Sequence, residues 1–79
     1  MKIIVKYFAI YKETTGVREE AFELDRGKSI NELLNIIIKK YNFKDQDNMV
    51  VSLNHDYIKT DVKLKDGDEV AIMMPSSGG

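Results

Sequence analysis

The sequence predicts an α+β domain in which one helix covers one face of a mixed sheet of four to five strands. Three observations lead to this prediction. Five short segments have the composition or alternation of strands, one longer segment has apolar residues at helical spacing, and the length of 79 residues allows a single domain. A strand hairpin, one helix and further strands are typical of a sheet with its helix on one side.

The first two strands are predicted to pair with each other. Residues 2–9 are rich in β-branched and aromatic side chains, which favour a strand, and Lys6 marks its water-facing side. Period two divides the remaining side chains between the faces: Ile4 and Phe8 outward, and Ile3, Val5 and Tyr7 toward the core. Residues 11–16 are predicted to be a polar connection, and residues 19–24 the second strand.

The helix is the clearest local prediction. After a turn at residues 25–28, Ser29 and Glu32 have the spacing of a capping box, in which each side chain accepts a free backbone N–H. A single apolar stripe follows at helical spacing: Ile30, Leu33, Leu34, Ile37, Ile38 and Tyr41. Asn42 is a plausible end because asparagine tolerates the left-handed conformation.

The second half of the chain supplies the remaining strands. After a polar loop at residues 44–48, residues 50–53 form a short strand that turns at residues 54–56 toward Tyr57 and Ile58. A tight turn at 65–68 leads into the last strand, 69–73, with Val70 and Ile72 inward and Ala71 and Met73 outward. This order fits the β-grasp, or ubiquitin-like, arrangement. A ferredoxin-like fold needs a second helix, and an SH3-like barrel needs none.

Composition excludes several function classes. Lysine and arginine number 12 against 13 acidic residues, a balance that argues against a nucleic-acid partner. Cysteine is absent, so thiolate nucleophiles and cysteine metal sites are excluded, and His55 is expected to be a solvated turn residue. Asp66, Asp68 and Glu69 are expected to form a charged turn, not a metal site. No apolar run reaches the ~20 residues of a membrane span, and the expected location is cytoplasmic.

The C-terminal end is predicted to be separate from the body. Residues 1–74 form the domain and residues 75–79 a flexible tail, because Pro75 cannot continue a sheet ladder. The tail continues through Ser76, Ser77, Gly78 and Gly79. Fully extended, it spans about 17 Å, and glycines let a backbone pass a narrow channel. The Gly79 carboxylate would be the reactive group; taken alone, the Gly-Gly pair also fits an inert, frayed end.

Several segments resemble the family of small subunits of molybdopterin synthase, which are ubiquitin-like sulfur carriers. The resemblance lies in residues 5–9, 12–16, 29–34, 51–54, 64–71 and 75–79. It implies that an adenylating, ubiquitin-activating-like enzyme uses ATP to activate the Gly79 carboxylate, which then becomes a thiocarboxylate. The tail would deliver its sulfur to a pterin precursor inside the large subunit. The resemblance also implies that the chain binds no cofactor and leaves catalysis to its partners.

Strand parity and the resemblance together suggest a docking surface. Phe8 and Met73 fall on the outward face, Tyr57 is expected beside them, and the corresponding family positions pack against partners. The alternatives are a thiamine-pathway sulfur carrier, a modifier joined to protein lysines through Gly79, and a β-grasp binding module with an inert tail.

Overall fold

The computed structural model describes residues 1–43 and 48–75. Within them the chain forms five strands and two helices, in the order β1 (Lys2–Tyr7), α1 (Ile10–Thr15), β2 (Glu19–Glu23), α2 (Ile30–Tyr41), β3 (Val50–Leu53), β4 (Asp56–Tyr57) and β5 (Glu69–Met73). The predicted α+β class with one main helix is therefore confirmed. Most of the predicted loop at 44–48 lies outside the described residues, as do Ser76, Ser77, Gly78 and Gly79 of the tail.

The five strands form one mixed sheet in the order β2-β1-β5-β3-β4. β1 is antiparallel to β2, as predicted, and parallel to β5 in the centre of the sheet. β3 pairs antiparallel with β5, and the short β4 pairs antiparallel with β3. Because β1 and β5 are parallel, they end at the same edge of the sheet.

The core lies between α2 and one face of the sheet. Ile30, Leu33 and Ile37 of α2 are buried, and the predicted inward residues of the central strands are fully or almost fully buried as well: Ile3, Val5, Tyr7, Val70 and Ile72. Ala71 lies on the opposite face, as predicted, yet is only 9% exposed. Its small side chain is shielded because Lys6 and Ser52 flank it on the neighbouring strands.

The ends of α2 form as the sequence predicts. The Ser29 hydroxyl accepts the Glu32 backbone N–H at 3.3 Å, and the Glu32 carboxylate accepts the Ser29 N–H at 3.3 Å. The helix ends at Asn42, whose φ of 54° is left-handed. Both signals are local, so they do not depend on how the sheet is assembled.

The prediction of a polar connection at residues 11–16 is wrong, because α1 occupies this segment. Its Tyr11 is only 3% exposed and packs edge-to-face on Phe43, with ring centroids 5.2 Å apart. α1 follows a turn at Ala9, whose φ of 53° and ψ of −128° are unusual for a residue with a Cβ. A helix this short is marginal alone, so burial of Tyr11 is what stabilises it.

Candidate functional site

The two central strands, β1 and β5, end side by side just before the predicted tail. Tyr7 pairs with Ile72, and the Phe8 N–H donates to the Ile72 carbonyl at 3.1 Å. Pro75 is exposed and lies two residues beyond the end of β5, which fits its predicted role in ending the strand. The reactive carboxylate of Gly79 lies outside the described residues and stays a prediction.

The three predicted docking residues come together on the outer face of the sheet. Phe8 is 47% exposed, Tyr57 is 72% exposed and Met73 is partly exposed. They line one shallow hollow of about 230 Å³, whose floor includes Ser52 and Ala71. We call Phe8, Tyr57 and Met73 the docking patch. Its apolar surface can exclude water from a contact with another protein, but docking itself stays a prediction.

A charged rim borders the docking patch, and sequence reasoning did not identify it. The Glu69 carboxylate lies 3.0 Å from Lys6 Nζ and 3.3 Å from His55 Nε2. The hydrogen bond and the negative charge of Glu69 raise the pKa of Lys6. His55 is largely exposed at a turn, as predicted. The rim depends on the pairing of β1 with β5, which no spacing in the sequence indicates.

The acidic turn before β5 is structural. Asp66 accepts the Lys2 backbone N–H at 2.6 Å. Asp68 accepts the Lys65 N–H at 2.8 Å and the Asn54 side-chain amide at 3.0 Å. Across residues 1–43 and 48–75, no three histidine, cysteine or acidic side chains are grouped as metal ligands. The hydrogen bonds of Asp66 and Asp68 to Lys2, Lys65 and Asn54 agree with the predicted charged turn.

A second polar cluster joins β2 to α2 and was also missed. Glu20 Oε1 accepts hydrogen bonds from the hydroxyls of Tyr7 at 2.9 Å and Tyr41 at 2.7 Å, and Oε2 pairs with Lys40. Desolvation raises the pKa of Glu20, but the hydrogen bonds from Lys40, Tyr41 and Tyr7 outweigh it, and the pKa is lowered overall. A carboxylate that is held ionised and occupied by three donors is a poor general base.

The described residues therefore provide surfaces for binding, and we find no exposed serine or cysteine nucleophile among them. The chain has no cysteine, and the described hydroxyls of Ser29 and Ser52 are both almost fully buried. In the part of the chain that the structure describes, no helix has the length and apolar character needed to cross a membrane.

Comparisons with known proteins agree with this architecture. The chain is 45% identical to the molybdopterin synthase sulfur carrier subunit of Chlamydomonas reinhardtii, with 100% of both chains covered. A Pyrococcus furiosus structure provisionally described as molybdopterin converting factor, subunit 1, has a TM-score of 0.84 and 32% identity, covering 96% of this chain and 99% of that one. The resemblance seen in the sequence is therefore confirmed.

Two further solved structures have the same fold. Small archaeal modifier protein 1 of Methanosarcina acetivorans has a TM-score of 0.79 and 26% identity, with 99% of this chain and 96% of that one covered. A chain in the complex of subunits 1 and 2 of the Helicobacter pylori molybdopterin-converting factor has a TM-score of 0.69 and 24% identity over 100% of both. The ThiS family matches residues 5–79, so the chain belongs to the ThiS family.

Proposed function

We propose that this chain is the sulfur carrier of molybdopterin synthase. Its Gly79 carboxylate is adenylated, becomes a thiocarboxylate, and gives its sulfur to a pterin precursor in the large subunit. The observation that carries the proposal is the 45% identity, over the whole of both chains, to the sulfur carrier subunit of Chlamydomonas reinhardtii. The Gly78-Gly79 pair supplies the end that this chemistry needs.

The chemistry requires activation because a carboxylate is a poor electrophile. A carboxylate oxygen of Gly79 attacks the α-phosphate of ATP, releasing pyrophosphate and leaving an acyl-adenylate. Hydrosulfide then attacks the carbonyl carbon: the C–S bond forms, the C–O bond to AMP breaks, and AMP leaves, so that one oxygen is replaced by sulfur. ATP is consumed by the adenylating partner, and the chain itself holds no cofactor.

The body and the tail have separate roles in this proposal. Residues 1–74 dock, through the outer face of the sheet that carries Phe8, Tyr57 and Met73. Residues 75–79 are the tail, which reaches into the active site of the partner. The catalytic side chains belong to the adenylating enzyme and the large subunit, so the body needs no nucleophile of its own.

Intact-mass measurement tests the proposal. The chain is incubated with the adenylating enzyme, ATP and a sulfur source, and a gain of about 16 Da marks oxygen replaced by sulfur. Adding the large subunit and the pterin precursor should return the mass to its starting value. The matched controls are the chain lacking Gly79 and the reaction without ATP. If the complete reaction leaves the mass unchanged, the proposal fails.

A protein-modifier function is the second candidate, because the fold and 26% identity are shared with small archaeal modifier protein 1 of Methanosarcina acetivorans. Both functions use an activated Gly79 carboxylate, but a modifier forms an amide with lysine amines of other proteins. Covalent conjugates in cell extract that disappear without Gly79 would favour the modifier. Sulfur transfer without conjugates would favour the carrier.

A further inference from the structure

A second hollow lies where the tail leaves the body. It has a volume of about 580 Å³. We call it the root groove. Tyr57 and Lys59 line part of it, and the rest of its lining is apolar: Met49, Val50, Val51, Ile58, Met73, Met74 and Pro75. It is contiguous with the docking patch because Met73 and Tyr57 line both hollows.

The root groove presents apolar side chains to water. Met74 is 41% exposed, and Met49, Val50 and Ile58 are partly exposed. Two of these residues are fixed by the sheet, since Val50 and Met73 are register partners in β3 and β5. The sheet therefore holds the floor of the groove, and among the lining side chains only Tyr57 and Lys59 could hydrogen-bond to a polar occupant.

We propose that the root groove receives an apolar side chain from the rim of the large-subunit channel that accepts the tail. This inference rests on the proposed function. The five residues of the tail, from Pro75 to Gly79, span at most about 17 Å. If Gly79 is to reach a reacting group inside a channel, the mouth of that channel must lie against the part of the body where the tail begins.

The position of the groove identifies the occupant. Pro75 is both the first residue of the tail and part of the groove lining, so a channel that encloses the tail must pass over the groove. An apolar side chain there would bury Met74 and Val50 and add directly to the contact made by the docking patch. The two surfaces would form one continuous interface.

Two substitutions with matched controls test the inference. Met74→Gln keeps the side-chain length and Val50→Thr keeps the shape, but each introduces a polar group into the groove. Ile36→Gln and Val17→Thr are the controls, because these residues are 40% and 41% exposed and do not line the groove. Binding of each variant to the purified large subunit is measured by calorimetric titration, and folding by thermal denaturation.

Met74→Gln and Val50→Thr should each weaken binding about tenfold, the effect of losing one well-buried apolar contact. Both controls should bind within about twofold of the unsubstituted chain. Equal binding by all four variants would overturn the inference. A loss confined to Met74→Gln would do so too, because Met74 adjoins the tail and could act through it. If the unsubstituted chain gains no sulfur in the mass assay, the proposed function itself has failed.

Discussion

Replacing Glu20 with alanine should destabilise the fold by about 2–3 kcal/mol. The hydroxyl of Tyr7 donates to Glu20, and Tyr7 is only 2% exposed, so its hydroxyl would be left buried without this acceptor. An unsatisfied buried donor costs ~1–3 kcal/mol. The Tyr41 hydroxyl also loses its bond to Glu20, but it lies on a partly exposed ring and can turn to water, which adds ~0.5–1 kcal/mol.

Urea denaturation, monitored by circular dichroism, measures this loss of unfolding free energy. The matched control is Glu23→Ala, on the same strand but exposed on the other face, which should change the unfolding free energy by less than ~0.5 kcal/mol. Glu20→Gln keeps an acceptor oxygen and should cost about 1 kcal/mol. Thermal midpoints should follow the same order, with about 15 °C lost in Glu20→Ala.

A double variant gives the sharper test. If the cost comes from the Tyr7 hydroxyl that has lost its acceptor, Tyr7→Phe in the Glu20→Ala background should restore about 1 kcal/mol of unfolding free energy. The substitution removes the group that lacks a partner. The same change in the unsubstituted chain should be neutral or slightly destabilising. If Glu20→Ala is no less stable than Glu23→Ala, or if Tyr7→Phe adds to its loss, the reasoning is refuted.

Three further predictions concern pH, backbone strain and docking. Because the pKa of Glu20 is lowered in the folded state, its stabilising contribution is present above the unfolded pKa of ~4.3 and is lost as pH falls through the folded value. Urea midpoints should therefore drop less between pH 7 and pH 3 in Glu20→Gln than in the unsubstituted chain. Ala9→Gly should raise the unfolding free energy by about 1 kcal/mol by relieving the positive φ, whereas Ala21→Gly in β2 should lower it by a similar amount; equal effects of the two would contradict the strain. Phe8→Asp should weaken binding to the large subunit with little change in thermal stability, and an unchanged affinity in the titration would remove Phe8 from the docking patch.

Most of the secondary structure could be predicted because its signals are local in the sequence. Three signals of α2 involve only residues that are close in the chain, so they can be recognised without knowing the fold. They are the capping box of Ser29 and Glu32, the apolar stripe and the left-handed Asn42. The parity of β1 and β5 is equally local, which is why the outward positions of Phe8 and Met73 were predictable. The Gly-Gly end and the absence of cysteine are properties of the sequence itself and pointed to a carrier.

Contacts between distant segments decided the rest. α1 exists because Tyr11 is buried against Phe43, a contact that no pattern within residues 10–15 indicates. The parallel pairing of β1 with β5 brings Phe8 beside Met73 and builds the rim of Lys6, Glu69 and His55. Glu20 looks like any strand carboxylate in the sequence. Pairing of β1 with β2 gives it the Tyr7 hydroxyl, and packing of α2 on β2 gives it Lys40 and Tyr41. Sequence patterns determine on which side of a strand or helix a side chain lies. Which strands and helices pack against each other is decided by the free energy of burying side chains that are distant in the chain.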